Sequence, residues 1–222
     1  MILILYVRKI VLDVMYTLNI FYEIIVIANL IFSVYLLFYK RKAIRQFCIY
    51  IFGVTIVDIV FSRIKKEYFI NSNYIFFLFI VISYISFYNL FKKNFESKLY
   101  KKIWTTIFIT FLCLTLFFQV QNKFAQFSSV TIALLPLFYI IGSMGWFLYI
   151  LNQKVEGHIF DKMIFWICSG LLIWSVFFLF RGLPMYYFDN SDPEFLQNLS
   201  IIFTLVNILT YLLFFRSLFC KQ

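Results

Sequence analysis

The chain has 222 residues, of which 64% are hydrophobic, 23% aromatic and only 14% charged, with a mean hydropathy of +0.91. A chain of this size cannot hide so much apolar surface from water, because small domains keep a large share of their surface exposed; lipid is the expected solvent. The net charge of +10 is read as the Lys/Arg excess that orients membrane proteins and not as a nucleic-acid footprint, since no basic patch alternates with polar residues on a soluble element.

Six glycines and three prolines leave little turn chemistry, so long helices are favoured over sheet. Residues 1–17 open on an apolar run too short for a signal-peptide core and lack a small-residue cleavage site. They are expected either to extend the first helix or to lie in the membrane interface as an amphipathic segment. Runs close to the roughly 20 apolar residues of a bilayer crossing then fall at about residues 18–39, 46–62, 74–91, 103–120, 130–151, 163–180 and 197–215. Pro136 is expected to kink the fifth. The expectation is an all-α polytopic membrane protein, with residues 18–222 forming one antiparallel seven-helix bundle.

Alternate loops differ in charge. One side carries Lys40, Arg41, Lys42, Arg45, Lys92, Lys93, Lys98, Lys101, Lys102, Lys154, Lys162, Arg216 and Lys221. The other carries Arg8, Lys9, Arg63, Lys65, Lys66, Lys123 and Arg181, together with Asp189, Asp192 and Glu194. The richer side is expected to face the cytoplasm, giving an outer N-terminus and an inner C-terminus. Tyr186 and Tyr187 fit an outer interfacial belt. Cys48, Cys113, Cys168 and Cys220 lie in or at the inner ends of apolar runs and are expected as free thiols.

Two carboxylates interrupt the apolar runs: Glu23 in FYEIIVIANL and Asp58 in VTIVDIVF. An ionisable side chain within a span costs about 2.5–3.5 kcal/mol on insertion scales, so each points to function. Both fall about one turn inside the outer surface on antiparallel helices. They are candidates for a shared proton, a cation, or neutralisation by Arg63 or Arg181; a shallow pair meeting water and headgroups is the plainer alternative. In the seventh span Ser200, Thr204, Asn207 and Tyr211 share one helical face, either interhelical hydrogen-bonding glue or the polar wall of a pocket. Trp166, Gly170 and Trp174 follow at four-residue steps in FWICSGLLIW and read as a packing surface, as do Gly142 and Gly145. Ser83, Tyr84, Tyr88 and Asn89 give the third span a polar side. The ligand-binding or proton-titrating candidates are therefore Glu23, Asp58, Arg181, Asn207 and Tyr211.

Other chemistries find no support. His158 is the only histidine, so neither metal nor haem ligation is expected. Phosphate loop, nucleophile elbow and metalloprotease helix motifs do not occur. No span carries the lysine that a retinal Schiff base requires. No cofactor, metal or catalytic residue is expected, and an enzyme is the least favoured class.

On FWICSGLLIW, on NLSIIFTLVNILTYLLFF with Asn207 and Tyr211, and on Glu23, the chain resembles small bacterial seven-helix membrane proteins of unassigned function. These in turn resemble the seven-helix sensor modules that precede kinase or cyclase domains in some bacterial receptors. The resemblance implies a bacterial cytoplasmic membrane location. Because the sequence ends shortly after the seventh span, it also implies signalling through a separate cytoplasmic partner. The expected function is a sensor or accessory protein that binds a small or lipidic ligand in the outer half of the bundle. The alternatives are a proton- or cation-coupled transporter using Glu23 and Asp58, or a structural subunit. The lipid bilayer is the expected partner, nucleic acid is not, and self-association is compatible with the sequence.

Overall fold

Helix α1 runs without a break from Ile2 to Phe38, so residues 2–17 continue the first helix. At about 1.5 Å per residue its 37 residues extend roughly 55 Å, well beyond a hydrocarbon core of about 30 Å. The computed structural model describes residues 2–39, 44–61, 73–122, 129–153, 158–188 and 193–220. Helix α2 spans Arg45–Val54 and continues as a π-helix over Thr55–Phe61. Then follow α3 (Asn73–Asn94), α4 (Lys98–Gln121), α5 (Ser129–Leu151), α6 (Met163–Phe188) and α7 (Pro193–Ser217), with a 3₁₀ turn at Ile159–Asp161 ahead of α6. No strand occurs among the described residues. The cations Lys40, Arg41, Lys42, Arg63, Lys65, Lys66, Lys123, Lys154 and Lys221 lie outside the described residues, as do Asp189 and Asp192.

Six helices among the described residues are long and apolar enough to cross a membrane: Asp13–Phe38, Tyr74–Asn94, Lys98–Gln121, Val130–Leu151, Met163–Arg181 and Phe195–Ser217. The expected second span, 46–62, takes a different form. Its α-helix stops after 10 residues and the backbone widens into 7 residues of π-helix. The local cause is legible in TIVDIVF. Its β-branched side chains crowd an α-helical turn, and Thr55 Oγ1 donates back to the Ile51 carbonyl at 2.9 Å, which weakens the normal ladder. Pro136 sits inside α5, whose helix continues through it.

Each helix packs against its neighbours in the chain, and α7 closes back on α1. Helix α3 also touches α5 directly, which leaves α4 outside the ring. Only 17% of the α4 span is buried, against 56% for α5. Polar ties hold α4 to α3: Tyr84 Oη with Thr115 Oγ1 at 3.0 Å, Tyr88 Oη with Thr105 Oγ1 at 3.2 Å, and Trp104 Nε1 donating to the Tyr88 carbonyl at 3.1 Å. The short α3–α4 turn is fixed by Tyr149, whose hydroxyl accepts the Glu96 N–H at 2.9 Å and a second bond from Gln153 Nε2.

Aromatic rings fill the core. Trp146, Tyr84, Tyr139, Phe47, Phe87, Phe91, Phe138 and Phe214 are all fully buried. Phe138 stands edge-on to Tyr84 at 4.9 Å and stacks on Trp104 at 4.8 Å, and Phe87 lies between Tyr50 (4.6 Å) and Tyr139 (4.8 Å). Such pairs contribute about 0.5–1.5 kcal/mol each beyond area burial. Two glycines make room for rings. A Cβ on Gly142 would come within 2.7 Å of Trp104 Cη2 and 2.8 Å of Phe91 Cε2, while one on Gly170 would come within 2.9 Å of Phe214 Cε1.

Gly145 provides the contrast, because a Cβ there meets nothing within 4 Å. Gly142→Ala is expected to lose stability, since overpacking costs about 1–3 kcal/mol against a gain of about 1 kcal/mol in helix propensity. Gly145→Ala, with only the propensity gain, is expected to be neutral or stabilising. Thermal unfolding of the purified variants in detergent checks both, and equal shifts would contradict the packing argument.

Candidate functional site

The seam of α1, α2 and α7 carries the most unusual chemistry in the bundle. Asp58 lies in the π-helical segment, and its Oδ2 accepts a hydrogen bond from the Tyr22 hydroxyl of α1 at 2.5 Å. The Asp58 side chain lies at the surface of the bundle and Tyr22 is half-buried, with the atoms of neighbouring helices packed around both. With Asp58 ionised, such a bond contributes about 1.5–3 kcal/mol, comparable to the insertion cost of the acid itself.

From this pair a series of hydroxyls leads inward. The Tyr22 ring meets Tyr211 of α7 edge-on at 5.5 Å, and the Tyr211 hydroxyl has those of Tyr22 and Tyr50 as polar neighbours. Tyr50 neighbours Tyr139 of α5, which in turn faces Ser83 of α3. Tyr139 Oη and Ser83 Oγ are buried yet close no hydrogen bond among the described residues. The file thus draws on α2, α1, α7, α5 and α3. Asn29, two turns beyond Tyr22 on α1, anchors it: Nδ2 donates to the carbonyls of Ile25 and Tyr211, each at 3.0 Å. Its Oδ1 is buried without a hydrogen-bond partner among the described residues.

The sequence candidates divide. Asp58 and Tyr211 belong to this file. Asn207 lies one turn before Tyr211 on α7, with a buried Oδ1 that accepts no bond. Glu23 follows Tyr22 directly and is half-buried; the α1 residue bonded to Asp58 is Tyr22. Arg181 lies apart, its guanidinium 4.6 Å from the Phe203 ring centroid, and it forms no ion pair with a described carboxylate. On the polar face of α7, Thr204 spends its hydroxyl on the Ser200 carbonyl of its own helix at 3.0 Å. Gln197, earlier on the same face, reaches α1 through Met15 Sδ at 3.9 Å. Neither of two surface clefts formed by described residues, one at Asp13–Leu18 and one between α1 and α2 around Arg45, is lined by the five candidates.

The aromatic candidates on α6 serve packing. Trp174 stacks on Phe178 at 4.7 Å and leans on Tyr139 at 5.9 Å. Gly170 lets Phe214 close, with Thr210 Oγ1 of α7 reaching the Gly170 carbonyl at 3.5 Å. Trp166 works at the end of the bundle: Nε1 donates to the Phe160 carbonyl at 2.8 Å, and the Arg216 guanidinium lies 5.5 Å from its ring. Beside it Cys220 donates to the same carbonyl at 3.7 Å, and burial pushes its thiol above the usual range, which keeps it protonated and weakly nucleophilic.

Sequence reading missed Tyr22, Asn29, Tyr50 and Tyr139. A signal existed for α1: Ile25, Val26, Asn29, Ser33 and Leu36 are all buried at helical spacing, a face that carries Asn29 inward. No family model, curated protein or solved structure matches this chain.

The Tyr22–Asp58 bond is expected to show as a coupling in a double-mutant cycle. Tyr22→Phe, Asp58→Asn and the double variant, unfolded in detergent with denaturant, should give an interaction energy of about 0.5–3 kcal/mol. Additive single effects would mean that the two side chains act independently.

Proposed function

We propose that the chain is a multi-pass protein of the bacterial cytoplasmic membrane, crossing seven times with its N-terminus outside, and that it senses protons at Asp58. The observation that supports this reading is the exposed Asp58 carboxylate, hydrogen-bonded to Tyr22 on a π-helical segment and continued inward by Tyr211, Tyr50 and Tyr139. Departures from α-helical geometry concentrate at functional sites, and an ionisable group in a span is retained for function. In this reading the ligand of the outer half of the bundle is a proton.

The mechanism follows from the hydrogen bond. An ionised Asp58 holds the Tyr22 hydroxyl by a charge-assisted bond, which fixes α1 against the π-helical turn of α2. Protonation removes the charge and roughly halves the strength of that bond. Tyr22 is then free to reorient against Tyr211, and the packing of α1 on α7, which Asn29 also carries, changes with it. Differential packing of two states is what a ligand must bias to act at a distance. The readout is a separate partner at the cytoplasmic end, where Lys92, Lys93, Lys98, Lys101 and Lys102 gather. A second reading, a proton-coupled carrier, draws on the extension of the hydroxyl file to Ser83.

Infrared difference spectroscopy of the reconstituted protein tests the site without any substrate. A protonated-carboxyl C=O band that appears on acidification should vanish in Asp58→Asn, persist in Glu23→Gln and shift in Tyr22→Phe. A titrating band that survives Asp58→Asn would remove the proposal. Proton flux into proteoliposomes separates the two readings: flux lost in Asp58→Asn supports the carrier, while a titrating Asp58 without flux supports the sensor.

A further inference from the structure

A groove of about 310 Å³ opens between α1 and α2 at the opposite end of α2 from Asp58. Leu30, Val34 and Leu37, on one face of α1, form one wall; Ile49 and Phe52 of α2 form the other, and Arg45 stands at the end of the groove. Arg45 is the only charged residue among the described lining residues, is exposed, and pairs with no described carboxylate. From Arg45 to Phe52 the groove follows α2 for about 10 Å, reaching from the basic end of the bundle toward its middle.

We infer that this groove holds an acyl chain of an anionic phospholipid, with the lipid phosphate on the Arg45 guanidinium. The occupant follows from the chemistry of the walls and from where they lie. Ile49 and Phe52 are exposed apolar side chains on a helix flanked by membrane-length spans, so hydrocarbon chains are the molecules at hand. A guanidinium at the end of an apolar slot matches a phosphodiester at the end of a chain, and guanidinium binds phosphate in a bidentate fork. Basic pockets between membrane helices on the cytoplasmic side select anionic headgroups by this arrangement. A zwitterionic lipid would fill the groove equally well but would bring a choline cation toward Arg45. The inference stands on residues separate from the Asp58 site and does not depend on it.

Photo-crosslinking in proteoliposomes tests it, using trace phosphatidylglycerol or phosphatidylcholine with a diazirine on one acyl chain and mapping the labelled peptides by mass spectrometry. Phosphatidylglycerol is expected to label the Leu30–Leu37 and Arg45–Phe52 stretches in preference to phosphatidylcholine. Arg45→Gln should lower that labelling about fivefold, the weight of one basic side chain at an anionic surface, and Arg45→Lys should retain most of it. Val34→Trp, which fills the slot and leaves Arg45 in place, should reduce labelling by both lipids. Equal labelling by the two lipids in the unmodified protein, an undiminished preference in Arg45→Gln, or label spread evenly onto the exposed face of α4 at Ile109 and Phe117 would overturn the inference. Thermal unfolding of each variant separates lost lipid from lost fold.

Discussion

Six helices long and apolar enough to cross a membrane point to an apolar solvent, and a solvent that offers no hydrogen bonds constrains the whole bundle. Backbone groups are satisfied inside helices, so the described residues form helix after helix and no strand. Burying more apolar surface gains little against lipid, which is as apolar as the core; close contact and internal polar ties must hold the helices together. The rings supply contact, and Gly142 and Gly170 let them approach. The hydroxyl and amide groups supply the ties, as in Asn29 to the Tyr211 carbonyl and Tyr84 to Thr115.

Under that constraint an incompletely bonded polar atom is costly, on the order of 1–3 kcal/mol each. Among the described residues such atoms occur on several helices, at Ser86, Gln119, Ser143 and Ser175 as well as along the series from Asp58. Asn29 Oδ1, Tyr139 Oη, Ser83 Oγ and Asn207 Oδ1 are buried without partners among the described residues, and they border or extend the series that starts at Asp58. The same reasoning separates Thr204 from Asn207: the threonine returns its hydroxyl to its own helix and needs no explanation beyond local hydrogen bonding.

Much of the architecture was legible in the sequence because hydrophobic length is a strong, additive signal. Apolar runs near residues 18–39, 74–91, 103–120, 130–151, 163–180 and 197–215 correspond to six membrane-length helices. The second run failed to show its character because α- and π-helices have the same composition; they differ in hydrogen-bond register, which depends on Thr55, Asp58 and the neighbour Tyr22 together. The site was half legible. Asp58 stood out by charge, and Asn207 and Tyr211 by their shared face. Tyr22 did not stand out, since tyrosine in a membrane protein reads as an interfacial ring, and Glu23 beside it drew the attention that charge draws. Only the facing of α1 onto α2 distinguishes position 22 from position 23, and that rotation is a tertiary fact.

Helix α2 is where these threads meet. It is shorter than the other helices and changes register partway, and it carries Asp58 near one end and Arg45 at the other, 13 residues and roughly 20 Å apart. Its two ends face the same neighbour: Tyr22 of α1 holds the π-helical part, while Leu30, Val34 and Leu37 of α1 stand away from the α-helical part across the groove. Contact between α1 and α2 is therefore polar and direct toward the Asp58 end, and apolar with a gap toward the Arg45 end. A helix bonded to α1 at one end, and separated from it by a groove at the other, is held to that neighbour unevenly along its length, while its core-facing rings join the aromatic core. That core lies on its other side, where Phe47 and Tyr50 pack on Phe214 and Phe87. Tyr50, packed in that core and next to Tyr211 in the series from Asp58, joins the aromatic core to the polar seam on one short helix.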